Sequence, residues 1–178
     1  MNRLLFFLLF TGGILYAQNA RVQGTVIENY GAIFDVPNLD IPLNTTDTFK
    51  VLFDLRGAPD DPGQLSAYIN TVARFLNMHV AAGKDRSQLE VAAVFHGNAS
   101  YSLLKNQFYK EKFGVDNPNL GLIQALQAAD VDIILCGQSA GSRNLSDSRR
   151  IPGVQMALST MTAMIQLQQE GYTIINFN

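Results

Sequence analysis

Short apolar segments of strand length alternate with helical patterns along most of this 178-residue chain, beginning at Phe49. The segment 89–97 is continuously apolar and rich in small residues, which is typical of a strand buried on both faces of a parallel sheet. Such alternation predicts α/β layers, because each crossover helix packs on one face of the sheet. Residues 48–178 are therefore predicted to form one α/β domain, a mostly parallel sheet of four or five strands with helices on both faces.

Capping residues and apolar spacing predict the element boundaries. Strands are expected at 49–55, 89–97, 131–136 and 172–177. The sequence Asp61-Pro62-Gly63-Gln64 has the pattern of a capping box and predicts a helix from about 62 to 82. Two more helices are expected at about 101–113 and from Asn117 to near Asp130. The residues Val154, Leu158, Met161 and Ile165 predict a last amphipathic helix.

The N-terminal segment has the pattern of a secretory signal. A positive start at Met1-Asn2-Arg3 precedes an apolar run over 4–15 and a small residue, Ala17, at a plausible cleavage site. Residues 1–17 are therefore predicted to direct export across the inner membrane, with the periplasm as destination. An uncleaved anchor is the alternative. The apolar run is shorter than the roughly 20 residues that span a bilayer, and no later run approaches that length, so no membrane span is predicted.

Composition excludes several classes of function. The 13 basic residues are outnumbered by 15 acidic ones and form no basic run, which argues against nucleic-acid binding. A single cysteine cannot close an intramolecular disulfide, and it does not form a zinc-ligand pattern with the two histidines, so no metal site is predicted. Phosphate-loop, nucleophile-elbow and C-x-x-C motifs are also missing from the sequence, and no cofactor is predicted.

Cys136 is the candidate reactive residue. It ends a predicted strand and is followed by a turn of small residues, and the carboxyl ends of parallel strands are where ligands and reactive groups collect. A helix that begins in this turn would favour the thiolate, and Arg143 would add positive charge. The turn residues predicted to bind are Gly137, Gln138 and Ser139.

A second candidate residue, His96, ends the neighbouring predicted strand and is followed by Gly97 and Asn98. Its imidazole is a candidate base or proton donor for the sulfur, and Gly97 and Asn98 are predicted to help bind a ligand at the same edge. The alternative interpretation is a buried core thiol and a histidine that bonds a loop carbonyl. The residues from 18 to 47 have no sustained apolar period, and we interpret them as an extended arm lying over the domain or a neighbouring subunit.

Three stretches resemble the DsrE/DsrF-like family of small sulfur-relay proteins: 91–97, 119–143 with Val131-Asp132-Ile133-Ile134-Leu135-Cys136-Gly137-Gln138-Ser139, and Gln168-Gln169-Glu170-Gly171-Tyr172. The resemblance covers roughly 49–178. It implies a compact α/β fold, a homo-oligomer that is often a trimer or hexamer, and a cysteine that accepts sulfane sulfur as a persulfide. Cys136 and Arg143 match the family's cysteine and arginine, and His96-Gly97 matches its histidine-glycine pair.

Two functions follow as hypotheses. The first is an exported protein that holds sulfane sulfur on Cys136 and exchanges it with a thiol or persulfide partner protein. The second is a non-catalytic oligomeric module that binds a small ligand or a protein and uses Cys136 only as a core residue. The arm contributes apolar residues that have no place in the α/β core, which favours burial against a second copy of the chain.

Overall fold

The computed structural model describes residues 20–177 of the chain. Its strands are β1 (Phe49–Leu55), β2 (Leu89–Phe95), β3 (Val131–Cys136), β4 (Gln155–Ala157) and β5 (Thr173–Asn176). They form one sheet in the order β4-β3-β2-β1-β5, and every neighbouring pair is parallel. The α-helices are α1 (Ala67–Ala81), α2 (Asn106–Phe113), α3 (Leu120–Ala128), α4 (Gly137–Arg143) and α5 (Thr160–Gln169). The predicted α/β fold with a parallel sheet is confirmed.

Helices cover the two faces of the sheet unequally. The larger core lies on one face, where alternate residues of β1, β2 and β3 pack against α1 and α3. The opposite face has a smaller core, in which Leu52, Ala92, Val94 and Ile134 pack against Ala163 of α5. Both cores draw on the same strands, because successive side chains point to opposite faces of the sheet. The cores differ in size because buried residues of both α1 and α3 pack on one face and Ala163 of α5 packs on the other.

The helix predicted from residue 62 begins five residues later than expected. Asp61 caps a turn instead: its side chain accepts a hydrogen bond from the Gly63 amide at 2.8 Å, and its carbonyl accepts one from the Gln64 amide at 3.1 Å. Ser66 is the N-cap of α1 and accepts a hydrogen bond from the Ile69 amide. Asn119 accepts a hydrogen bond from the buried Ser66 amide at 2.9 Å. This tertiary contact fixes the helix start.

Two other helix predictions were wrong in their boundaries. The segment 101–113 is interrupted, because a 3₁₀ helix (Gly97–Leu103) ends where Leu104 pairs with Arg150 as an antiparallel bridge, and α2 starts only afterwards. The last helix excludes Val154 and Leu158. The segment between these two residues contains the edge strand β4, which was not predicted from the sequence. Helix α5 begins after its N-cap residue Ser159, whose hydroxyl oxygen accepts a hydrogen bond from the Thr162 amide at 3.0 Å.

The arm lies partly against its own domain. The buried Asn77 side chain of α1 accepts hydrogen bonds from the amides of Val26 and Ile27 at 3.2 and 2.9 Å, and it donates to the carbonyls of Ile27, Tyr30 and Gly31. Ile27 and Ile33 of the arm are buried, whereas Val36, Leu39 and Ile41 stay exposed. The predicted signal segment 1–17 lies outside the described residues. None of the helices found between residues 20 and 177 is long and apolar enough to cross a membrane.

Candidate functional site

Three polar or reactive side chains lie near the carboxyl edge of the sheet, each within one residue of the end of β1, β2 or β3. Their predecessors Phe53, Phe95 and Leu135 all point into the larger core, so the next residue on each strand, Asp54, His96 or Cys136, points to the α5 face. Phe95 pairs with Leu135 across β2 and β3, and the backbone of His96 is still extended. His96 and Cys136 are therefore level on neighbouring strands and share one face.

Cys136 lies where two helices begin. It is the N-cap residue of α4, and its Sγ atom accepts a hydrogen bond from the amide of Thr160, the first residue of α5, at 3.3 Å. The residue is only 5% exposed. Burial raises the pKa of the thiol, but polar groups beside the sulfur outweigh this effect and lower the pKa from 9.0 to about 7. These groups are the Thr160 hydroxyl, the Ser139 amide, the Thr160 amide and the Ser139 hydroxyl, all of which favour the thiolate.

The Thr160 hydroxyl is the site residue that sequence analysis missed most completely. Its oxygen is buried and forms no well-aligned hydrogen bond within residues 20–177, yet it lies close enough to the sulfur to lower the pKa of Cys136. Ionisation of the thiol gives this hydroxyl a strong acceptor, which stabilises the thiolate. The sequence contained no indication of this contact, because Thr160 is 24 residues away and fell inside a helix predicted to start earlier.

His96 is held by a second missed residue, Asp54. Its Nε2 atom lies 2.7 Å from Asp54 Oδ1, and the two side chains are 22% and 8% exposed. The pair is well shielded, so the carboxylate fixes the orientation of the imidazole. Within the described part of the chain, no hydrogen bond joins His96 to Cys136. A carboxylate near the end of a mostly apolar strand was the available signal for Asp54.

Glycines permit the close approach of the surrounding loops. A Cβ atom at Gly137 would lie 2.8 Å from the Ala157 carbonyl oxygen, so only glycine lets the connection between β4 and α5 reach the sulfur. Gly97 has a φ of +53°, and its amide donates to Ser139 Oγ at 3.1 Å. Gln138 donates to the Leu158 carbonyl oxygen at 3.2 Å, which ties the same connection to α4.

Arg143 and Asn98 lie away from the sulfur. Arg143 ends α4, where its guanidinium stands 5.7 Å from the Tyr101 ring centre and donates to Ser142 Oγ. Together with Arg56 and Gly97 it lines a cleft of about 330 Å³, to which Asn98 also contributes. The structure thus groups Cys136, Gly137, Gln138 and Ser139 around the thiol and places Arg143 and Asn98 in a neighbouring cleft. No cluster of three His, Cys, Asp or Glu side chains suited to a metal ion occurs among the described residues.

Comparison with known proteins identifies the family. The model of the DsrE/DsrF-like family matches residues 50–177, which is most of the chain and includes every strand apart from the first residue of β1. The chain belongs to the DsrE/DsrF-like family. This is a sulfur-relay-type family, and the resemblance seen in the sequence is confirmed.

Solved structures share the fold at low sequence identity. MTH1491, a protein of unknown function from Methanobacterium thermoautotrophicum, is 14% identical with a TM-score of 0.53, and the alignment covers 72% of this chain and 99% of that one. The ychN protein of E. coli is 20% identical with a TM-score of 0.51, and the alignment covers 73% of this chain and all of that one. No curated protein matches the chain significantly in sequence. At these identities the structural matches establish the fold alone.

Proposed function

We propose that this protein receives a sulfane sulfur atom on Cys136, holds it as a persulfide and passes it to an acceptor thiol. The observation that carries the proposal is the hydrogen bond from the Thr160 amide to Cys136 Sγ at 3.3 Å. Together with the nearby Thr160 hydroxyl and the Ser139 amide and hydroxyl, it lowers the pKa of Cys136 to about 7. Most of the thiol is then ionised at slightly alkaline pH, and the thiolate is the form that reacts with sulfur electrophiles. Membership of a sulfur-relay-type family supports the same chemistry.

The transfer is redox-neutral and balanced. The Cys136 thiolate attacks the outer sulfur of a donor persulfide R–S–SH, so that a new S–S bond forms while the donor's S–S bond breaks. The leaving thiolate R–S⁻ takes the electron pair and is protonated by His96, whose ring Asp54 orients. An acceptor thiolate then attacks the outer sulfur of the Cys136 persulfide, and Cys136 leaves as the thiolate that the Thr160 and Ser139 donors stabilise.

Intact-protein mass spectrometry after exposure to inorganic polysulfide tests this function. Wild-type protein is expected to gain about 32 Da, the mass of one sulfur atom, or a multiple of it, and dithiothreitol should remove the adduct. The Cys136→Ser variant should gain nothing. An unmodified wild type, or an adduct that persists in Cys136→Ser, would refute the proposal.

A non-catalytic binding module is the second candidate, and it is favoured by the low exposure of Cys136, only 5%. In that case the thiol is a core residue, and its hydrogen bonds serve to connect α4 with α5. Alkylation by iodoacetamide separates the two functions. A native thiol that reacts only after denaturation would support the module, whereas rapid alkylation of the folded protein at neutral pH supports sulfur transfer.

We further propose that the protein is an exported, symmetric homo-oligomer assembled through the β4–α5 surface. This surface presents a group of exposed apolar side chains close to the thiol: Met156, Leu158, Met161 and Ile165. Their exposed fractions range from 43% to 71%, and such a patch on a monomer marks an interaction site. Light scattering should give a multiple of the monomer mass, and the double variant Met161→Glu/Ile165→Glu should give the monomer mass.

The proposed export rests on the sequence of residues 1–17. N-terminal sequencing of protein recovered from the periplasm tests it.

A further inference from the structure

The cleft beside the thiol contains two arginines without acidic partners. It is lined by Arg56, Gly57, Tyr68, Gly97, Asn98 and Arg143 and has a volume of about 330 Å³. Among the described arginines, ion pairs are formed by Arg149 and Arg150, and neither Arg56 nor Arg143 has one. Acidic residues outnumber basic ones in this chain, 15 to 13, yet none lines this cleft. The cleft therefore presents two uncompensated positive charges.

Arg143 is also incompletely hydrogen-bonded. Its Nε atom is buried and has no partner among the described residues, while another guanidinium nitrogen donates to Ser142 Oγ at 3.0 Å. A buried N–H group without an acceptor is costly, so the protein itself leaves this guanidinium incompletely satisfied. The guanidinium stands over the Tyr101 ring, which restricts its orientation.

The walls of the cleft are fixed by the fold. The Arg56 carbonyl oxygen accepts a hydrogen bond from the Ala99 amide at 3.0 Å, and this bond joins the loop after β1 to the segment after β2. A Cβ atom at Gly97 would lie 2.9 Å from that same carbonyl oxygen, so the two loops touch. Gly97 in turn donates to Ser139 Oγ, and Ser139 is one of the groups that lower the pKa of Cys136. A single side chain thus connects the cleft wall to the sulfur.

The separation between the arginines and the thiol defines the size of the ligand. The backbone of Arg143 lies seven residues beyond that of Cys136 along α4, about 10 Å at a helical rise of 1.5 Å per residue. Cys136 is not one of the residues that line the cleft, so a ligand bound by the Arg143 guanidinium has to extend out of the cleft to contact the sulfur. A molecule with a carboxylate at one end and a terminal sulfur at the other spans this distance, and a terminal sulfur also suits a thiol that is only 5% exposed.

We infer that the cleft is the carboxylate subsite for a low-molecular-weight organic persulfide, with Arg56 and Arg143 binding the carboxylate while the outer sulfur reaches Cys136. This inference rests on the proposed function and identifies the class of its sulfur donor. Arg56 is exposed and forms no ion pair with the described residues, so it adds positive charge to the cleft, and Arg143 supplies a donor that is more shielded from solvent. Two charge-assisted hydrogen bonds in a partly enclosed cleft account for selection of carboxylates over neutral thiols.

Calorimetric titration of the full-length protein with S-methylglutathione, which has carboxylates and no reactive sulfur, tests the subsite apart from the chemistry. Binding is expected for the wild type and is expected to be lost with the diethyl ester of the same compound. Arg56→Gln and Arg143→Gln should each weaken binding by about threefold or more, and the double variant by about tenfold or more. Arg21→Gln removes the same charge from the distant arm and should bind like the wild type.

Several results would overturn the inference. These are absence of binding at millimolar concentration, equal binding of the ester, unchanged binding by Arg56→Gln/Arg143→Gln, or binding of sulfate in place of S-methylglutathione. Failure of the proposed function has a different signature. In that case S-methylglutathione binds through the arginines, while polysulfide leaves the mass of the wild-type protein unchanged. Alkylation by neutral iodoacetamide should proceed at the same rate in all variants, which shows that the thiol itself is intact.

Discussion

The two faces of the sheet differ in what they bury. On the α1–α3 face, large side chains such as Phe53, Leu76 and Leu126 are at most 1% exposed and form most of the core. On the α5 face the core is small, and Met161 and Ile165 on the helix are 71% and 57% exposed. The two faces therefore differ in composition: the α1–α3 face holds most of the buried core, while the α5 face carries the Cys136 thiol and exposed apolar side chains.

The side chains on the two faces of the sheet differ most at the carboxyl ends of β2 and β3. Phe95 and Leu135 end the buried series of β2 and β3, and the residue after each is His96 or Cys136 on the opposite face. A slip of one residue in either strand would exchange the two sets and place the thiol among the core side chains. The packing of side chains on the α1–α3 face therefore fixes the strand register that places His96 and Cys136 on the α5 face.

The largest expected effect is a loss of folding stability when a side chain on the α1–α3 face is truncated. Leu126→Ala removes a fully buried side chain of α3 and should lower the free energy of unfolding by about 2–5 kcal/mol, because it leaves a cavity in the main core. Met161→Ala, on the exposed side of α5, should change it by less than about 0.5 kcal/mol in the monomeric state. Urea denaturation measures both, and equal costs would contradict this difference between the two faces.

A smaller effect is expected at the thiol. Thr160→Val keeps the side-chain shape and removes the hydroxyl, so the pKa of Cys136 should rise by about one unit, which corresponds to the loss of one hydrogen bond to a charged acceptor. The rate of iodoacetamide alkylation near pH 6 should fall about tenfold, while the rate above pH 10 should be unchanged.

Thr162→Val is the matched control for this measurement. The Thr162 hydroxyl contacts Ser159 at 3.0 Å rather than the sulfur, and its removal should leave the alkylation profile in place. A shift of the same size in both variants would mean that the start of α5, and not the Thr160 hydroxyl, sets the pKa of the thiol.

Sequence patterns predicted the elements that local physics determines. The bounds of β1 and β3 match the expected segments, since both are mostly apolar runs of strand length. The short strand β4 was missed, because Gln155–Ala157 are mostly exposed and pair with β3 alone, so they show neither alternation nor a continuous apolar run. The start of α1 was misplaced, since the Asn119 contact that fixes Ser66 is invisible to local sequence.

The sequence predicted only those members of the candidate site that stand at the end of a strand or directly after it. Cys136 and His96 were predicted as site residues because each stands at the end of a mostly apolar run. Asp54 and Thr160 were missed, because their importance depends on strand alternation and on a contact across 24 residues. Whether Arg143 would lie near the sulfur depended on the length of α4, which extends for seven residues and places the guanidinium in the neighbouring cleft.

The smallest expected effect is the pH dependence of stability that His79, on the α1–α3 face, contributes. His79 packs on Phe75 and Phe49, and burial first, then the nearby Lys84 charge, lower its pKa below 6.5, although a hydrogen bond to the Phe75 carbonyl opposes the shift. The folded state then binds fewer protons than the unfolded chain as pH falls below about 6.5, so stability should decrease between pH 7 and 5.5. The ring is partly exposed, and the loss should stay below about 1 kcal/mol. His79→Phe keeps an aromatic ring and should flatten this part of the profile in urea denaturation, whereas His96→Phe, on the α5 face, should leave the His79 contribution intact. A wild-type profile that rises as pH falls through this window would contradict the assignment.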